Sequence, residues 1–385
     1  MQSADVIIHS ARLVSGGTTT PDSWVAFSGD TILSRGTGAG WQAVSTSETA
    51  VTDAAGRRLA PGFIDIHCHG AGGAAFDLGA AQIDTALAVH HRHGTTRVVL
   101  SLVTASQSNL EQRVAVIADV TEQNPLVLGA HLEGPFIDNE FRGAHDPTLL
   151  RAPDSESIDR LLAAGRGTIR QVTLAPELPG APAAIRQFAE AGVAVAVGHS
   201  ATDYETALAA FDAGASILTH AFNGMRGIHH RAPGPVAAAT HSPHVILEVI
   251  NDGVHVHPEV VRLAFAGAPG RIALITDAMA ATGAADGAYI LGTLPVTVTD
   301  GVARLTEGGA IAGSTLTMDL ALRRAVTEVG VSVEEAVSAM TSTPARAIGR
   351  SHDLGALEVG FAADAVLLSE QFEVDAVFAG GRRLV

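Results

Sequence analysis

Lysine is absent from this chain: all 24 basic residues among its 385 are arginine. That absence excludes Schiff-base chemistry on lysine, pyridoxal-phosphate catalysis of the usual kind, a P-loop lysine and a carboxylated lysine shared by two metal ions. Cysteine is nearly absent as well. Cys68 stands alone, so no intramolecular disulfide framework exists, and a reducing compartment, the cytoplasm, is the expectation. No apolar run reaches the roughly 18 residues that a membrane-spanning helix needs. The start, MQSADVIIHSARLVSGG, has Asp5 early, no basic segment and no sustained apolar stretch, so an untargeted chain with no membrane association is expected. Positive charge is also scarce: the net charge of −16 would repel nucleic acid and anionic membrane surfaces over most of the molecule. An anionic small substrate would need a local cationic pocket.

What is present is apolar material, 47% of the residues, enough to bury a large core and form one barrel-sized domain with a smaller one beside it. Residues 1–60 read as short strands, VIIHSARLV and SWVAFSGDTI, broken by Gly, Thr, Ser and Asp clusters. The end, AADAVLLSEQFEVDAVFAGGRRLV, reads the same way. Together they imply a small β-sandwich-like domain built from both termini, 1–60 with 351–385, marked off by Pro61, Gly62 and the region of Ser351. Between these ends, apolar runs alternate with Ala-rich amphipathic segments such as AAQIDTALAVHHRHG and DYETALAAFDAG. The runs are FIDIHCH, TRVVLSLV, LVLGAHLE, IRQVTLAPE, AVAVGHS, SILTHAFN, VILEVIND and RIALITDA. Eight strands alternating with helices predict an α/β fold, a (β/α)8 TIM-type barrel over 61–350. The stretch from about Ala280 to Gly313 reads as a hairpin and loop with two strand-like pieces, inserted after the eighth strand.

The chemistry-bearing residues sit where these strands end. His67 and His69 flank Cys68, and a period of two puts both imidazoles on one face and the thiol on the other. Two same-face imidazoles can share a metal, or can simply be packed histidines. Glu133, His199, His220 and Asp277 then fall at the C-terminal ends of other strands, and in a parallel barrel those ends meet on the face where active sites lie. Imidazoles and a carboxylate at one mouth suit a divalent ion, zinc first, with iron, cobalt, manganese or cadmium as alternatives. Without lysine, Glu133 is the natural bridge, with His67 and His69 on one ion and His199 and His220 on another. Such ions activate water and polarise a carbonyl. Asp277 is placed to take the water's proton and return it to a leaving amine; its other reading is the N-cap of a following helix.

The runs PGFIDIHCHG, HLEGPFI, FRGAH, VTLAPE, GHS, THAFN, RAPG, DGVH, ITDA, AGSTLTMD and PARAIG, then GALEVGFAADAVLL, resemble the N-acetylglucosamine-6-phosphate deacetylases of the amidohydrolase superfamily. They occur in order across almost the whole chain. HLEGPF and GAH are specific to that branch; H-x-H and the terminal pattern belong to the superfamily at large. The resemblance implies hydrolysis of N-acetyl-D-glucosamine 6-phosphate to D-glucosamine 6-phosphate and acetate by a metal-activated water. It places Glu133, His199 and His220 on metal-ligand positions and Asp277 on the general acid/base. His145 falls on a residue that contacts substrate and helps to polarise the scissile carbonyl. Asn223, Gly224, Arg231, His255, Ile311, Ala312 and Gly313 fall on substrate-binding positions, Arg231 and His255 on the phosphate side. An arginine can present a forked donor pair to a phosphate, or can be a solvated loop residue. Some family members lack both H-x-H histidines and use one metal, so one or two ions per subunit are expected here. A homodimer, or a dimer of such dimers, is implied because family members complete the phosphate pocket across a dimer interface.

Other readings are an amidohydrolase of different specificity, acting on cyclic amides, N-acetyl amino acids or N-acetylgalactosamine 6-phosphate, and a non-catalytic binding protein on the same fold.

Overall fold

The computed structural model describes residues 3–385. All eight apolar runs are strands of one parallel sheet, paired in chain order: β1 (Phe63–Cys68), β2 (Thr95–Val103), β3 (Val127–Glu133), β4 (Ile169–Leu174), β5 (Ala194–Val197), β6 (Ala215–Leu218), β7 (Ile246–Ile250) and β8 (Ile272–Ile275). Their residues are almost all buried, as expected of strands covered on both faces. The ring closes just past the strand ends, where Asp277 N–H donates to His67 O at 2.9 Å and His69 N–H donates to Ala278 O at 2.7 Å. The closing bonds therefore run through residues expected in the site. The barrel is the (β/α)8 type expected from the alternation.

Local chemistry explains the intervening helices. Gln107–Gln123 starts where Ser106 accepts from Asn109 N–H and buries Leu110, Val114, Ile117 and Ala118, one helical stripe. Asp154 and Asp203 cap Ser155–Gly165 and Tyr204–Asp212 in the same way.

Inside the barrel the strands present polar groups that satisfy one another. Ser101 Oγ lies 2.9 Å from His131 Nδ1, His131 Nε2 lies 2.8 Å from Thr173 Oγ1, and Thr173 Oγ1 lies 2.9 Å from Thr219 Oγ1. A fully bonded polar layer of this kind is rigid because each unmade bond would leave a buried group desolvated.

The insertion after β8 has three antiparallel strands, Gly287–Leu291, Leu294–Thr299 and Val302–Leu305, where two were expected. Asp300 and Gly301, both at positive φ (51° and 73°), form the tight turn that folds VARL back as the third strand.

Both chain ends contribute to a second sheet of eight strands. Its first strands are Val6–Ser15, Thr18–Ser28 and Thr31–Thr37. The run SWVAFSGDTI, expected as one strand, is instead the end of one, a turn at Gly29 (φ 58°) and the start of the next. Alternate residues pack on opposite faces: Ile8, Val25 and Phe27 in one apolar cluster, Ile7, Trp24 and Ala26 in another. Both faces of this single sheet thus carry apolar clusters.

By internal contacts the chain forms two compact units. One comprises Ile66–Val89 and Val98–Thr317; the other comprises the segment ending at Asp65 together with His90–Arg97 and Met318–Val385. Among the described residues, no helix is long and apolar enough to cross a membrane.

Candidate active site

Five side chains from the ends of four strands converge on the Glu133 carboxylate. Its Oε1 is 3.2 Å from His67 Nε2, 3.1 Å from His199 Nε2 and 3.2 Å from His220 Nε2, and its Oε2 is 3.1 Å from His69 Nε2. Asp277 Oδ1 stands 3.2 Å from His69 Nε2 and 3.7 Å from His67 Nε2. All six residues are buried. Three of them hold backbone conformations that non-glycine residues rarely adopt: His199, His220 and Asp277 have φ of 47°, 25° and 50°. Each lies two residues past its strand, and the left-handed turn swings the side chain over the barrel mouth. Gly224 is needed beside them, because at φ 58° its Cβ would lie 2.9 Å from His199 Nδ1. No helix follows Asp277 among the described residues, the next being Met318–Arg324, so its N-cap alternative falls away.

Hydrogen bonds on the far side of each ring decide which nitrogen carries the proton. His199 Nδ1 is 2.9 Å from Phe141 O and His220 Nδ1 is 3.1 Å from Asn223 O. A carbonyl only accepts, so both Nδ1 atoms are protonated, and in the neutral rings both Nε2 atoms are bare lone pairs. Yet these two nitrogens lie 3.0 Å apart, with a carboxylate oxygen against each. Lone pairs and a carboxylate crowded this closely repel unless a cation sits among them. The donor set, imidazole nitrogen and carboxylate oxygen, fits a zinc-like divalent ion. His67, His69 and Glu133 form a second group able to hold an ion, with donor atoms within 4.8 Å of one another.

His145 meets the same distance criterion with Glu133 and His199, but its tautomer is the opposite one. Thr104 N–H donates to His145 Nδ1 at 3.4 Å, and the Thr104 hydroxyl is 2.9 Å away. Nδ1 therefore accepts, and Nε2 carries its proton toward Glu133 Oε2, 3.6 Å away. Burial holds the His145 pKa down to about 4, so the ring is neutral near pH 7. It is built to donate a hydrogen bond into the cavity, not to bind a cation.

Burial alone lowers the His69 pKa, but hydrogen bonds and charge from Asp277 and Glu133 outweigh it, and the pKa rises to about 9. Burial alone raises Glu133, yet the His67 charge and the hydrogen bonds of His145, His199 and His220 hold it well below the usual carboxylate range. A testable consequence follows from the raised His69. Below pH about 9 an incoming cation displaces a proton from that ring, so ion affinity should rise with pH up to about 9 and then level off, by up to roughly tenfold per pH unit. Calorimetric titration with Zn²⁺ in buffers of different ionisation enthalpy reads the released proton directly; pH-independent uptake would refute the assignment.

The cavity above the carboxylate is lined by Asn223, Gly224, His255, Ile311 and Gly313, with Asp277 and the imidazoles at its floor. His255 Nδ1 is 2.6 Å from Asp252 Oδ2. Burial lowers its pKa, but Asp252 more than offsets this, and the net shift is upward, which favours a cationic ring. Ala312 does not line the cavity; it is fully buried in an apolar cluster with Val103, Met279 and Leu291. Arg231 is also outside the lining. It is exposed on a loop whose residues Arg226 to Ala232 are all exposed, with its guanidinium 2.6 Å from His230 Nε2.

Some residues were missed in the sequence. Glu248 is fully buried in β7 with Oε2 3.0 Å from His67 Nδ1. A charged residue inside VILEVI was the available signal. His131, two residues before Glu133 and on the same strand face, packs its ring edgewise on His67 at 4.5 Å. The spacing H-x-E carried that signal. Leu291, supplied to the cavity wall by the inserted hairpin, had none.

Comparison with known proteins agrees with this geometry. The amidohydrolase family model matches residues 58–384. An N-acetylgalactosamine-6-phosphate deacetylase of Escherichia coli O157:H7 is 39% identical over 88% of this chain and 91% of its own. An N-acetylglucosamine-6-phosphate deacetylase of Vibrio furnissii is 38% identical over 84% and 82%. Among solved structures, a mutant of N-acetyl-D-glucosamine-6-phosphate deacetylase from Mycobacterium smegmatis, in complex with N-acetyl-D-glucosamine-6-phosphate, superposes with a TM-score of 0.93 at 40% identity, covering 100% of both chains.

Proposed function

This chain belongs to the amidohydrolase family of metal-dependent hydrolases, and from that premise we propose that it hydrolyses N-acetyl-D-glucosamine 6-phosphate to D-glucosamine 6-phosphate and acetate. The observation that carries the reading is the pair of bare His199 and His220 nitrogens held 3.0 Å apart against Glu133, with Asp277 alongside in the cavity lined by Asn223, Gly224 and His255.

Glu133, His199 and His220 would hold one divalent ion, zinc being our first choice, and His67 and His69 offer a second position. Such an ion would polarise the acetyl carbonyl and lower the pKa of water. The chain's own groups do the rest. Asp277, its carboxyl held below the usual range by His69 and His67 despite burial, is an acceptor at neutral pH. It takes the proton of the attacking water and delivers it to the amine nitrogen as the C–N bond breaks and the C–O bond forms. The His145 Nε2–H donates to the carbonyl oxygen as it gains negative charge. Asn223, Gly224, Ile311, Ala312 and Gly313 place the sugar, the buried Ala312 through its backbone. His255 faces the phosphate.

Arg231 is exposed in the single chain, so we place its phosphate contact in the cavity of a second copy. The protein is then a homodimer, in which each loop completes the other's pocket. The cytoplasm fits the lone buried thiol of Cys68. We retain the division into a terminal β domain, 1–60 with 351–385, and a catalytic barrel, 61–350.

Purified protein should release acetate from the 6-phosphorylated sugar. Comparison with the unphosphorylated sugar and the C4 epimer ranks the alternatives; preference for the epimer would reassign the substrate. Arg231→Ala should raise KM for the phosphorylated sugar roughly 10–100-fold, the value of one charge-assisted phosphate contact, and leave the unphosphorylated sugar almost unaffected. Equal losses on both would remove Arg231 from the phosphate site.

A further inference from the structure

The imidazoles of the site are oriented by two different devices. His199 and His220 are held by backbone carbonyls, Phe141 O and Asn223 O, which come with the fold of the loops. His67 is held by a side chain: Glu248 Oε2 lies 3.0 Å from its Nδ1. His69 Nδ1 has no hydrogen-bond partner among the described residues. In the His67–His69 half of the site, the group behind His67 is thus a side chain that a substitution can remove.

Glu248 is itself fixed on every side. It has no solvent exposure. Gln171 Nε2 donates to its Oε1 at 2.7 Å, and the backbone N–H of His220 points at its Oε2 from 3.3 Å. With a backbone donor already on Oε2, that oxygen serves as an acceptor. The His67 Nδ1–H is thus pinned toward Glu248, which leaves Nε2, 3.2 Å from Glu133 Oε1, as the nitrogen that would face a bound cation. A carboxylate behind a ligand imidazole also makes its free nitrogen more basic.

We infer that Glu248 is a positioning residue: it fixes the orientation of His67 and thereby sets how tightly the His67–His69 half of the site binds a divalent cation. This rests on the metal reading above and extends it to affinity. Glu248 touches no substrate; it acts through His67.

The test is metal binding by metal-free protein, titrated with Zn²⁺ or Co²⁺ and followed by calorimetry and elemental analysis. Wild type is expected to take up two equivalents per chain. Glu248→Gln should keep one at wild-type affinity and bind the other roughly 10–100-fold more weakly, the usual loss when an outer partner of a ligand is removed. A double-mutant cycle with His67→Asn separates positioning from a merely structural role: if Glu248 acts through His67, Glu248→Gln adds no further loss in the His67→Asn background. Melting of the metal-free proteins checks folding. If Glu248→Gln does not fold, Glu248→Asp, which withdraws the carboxylate by one methylene, is expected to show the same selective loss. Two tight equivalents in the variant, equal weakening of both, or additive losses in the cycle would overturn the inference. A wild type that binds one ion overturns it and leaves the proposed reaction standing; a wild type that binds none overturns both.

Discussion

Asp277→Asn should lower kcat by roughly 10²–10⁴-fold, the usual range for loss of a general acid/base, while the protein keeps its fold and its metal. The backbone of Asp277 does structural work that any side chain would leave in place: its N–H bonds His67 O at 2.9 Å and its carbonyl accepts from Ser314 N–H at 2.7 Å. Its φ of 50° suits asparagine, one of the few side chains that tolerate the left-handed region. The substitution therefore removes proton transfer and little else. Steady-state kinetics with elemental analysis of the variant check it, and wild-type turnover would reassign the proton shuttle.

Glu133→Gln should be more severe for metal binding than any other single change in the site. One carboxylate lies within 3.2 Å of the Nε2 atoms of His67, His69, His199 and His220, so both candidate ion positions lose a charged ligand together. Retained metal should fall toward zero, and turnover by more than the roughly 10–100-fold typical of an outer-shell loss. Chelation of the wild type should mimic the variant and be reversed by a divalent ion. Thermal stability should follow: an ion present at about 100 times its Kd adds about 2.7 kcal/mol to the native state, a shift the Glu133→Gln protein should lack. Full activity after exhaustive chelation would remove the metal from the mechanism altogether.

How much of this site was legible varies residue by residue. Glu133, His199, His220 and Asp277 could be read because each interrupts or ends an apolar strand, and a parallel barrel brings all strand ends to one face. His67 and His69 followed from the period of two. Glu248 was passed over although its signal was present, because within a run of buried residues a strand's two faces are alike in composition and only one of them looks inward. The opposite protonation of His145 and His199 could not be read at all: it depends on whether Thr104 N–H or Phe141 O lies behind the ring, and both partners are remote in the chain. The turn at Gly29 was misread because apolar residues flank it on both sides.

The order of strands and helices, the absence of lysine, and the residue types at the strand ends are properties of the sequence alone. They set the barrel and the kind of chemistry it can host, because periodicity and side-chain identity act locally. Which nitrogen of each histidine faces the cavity, that Arg231 lies outside its own chain's pocket, and that Glu248 stands behind His67 were decided by tertiary structure. Hydrogen-bond partners separated by 41 to 181 positions are set by the packing of whole strands, and no local pattern encodes them.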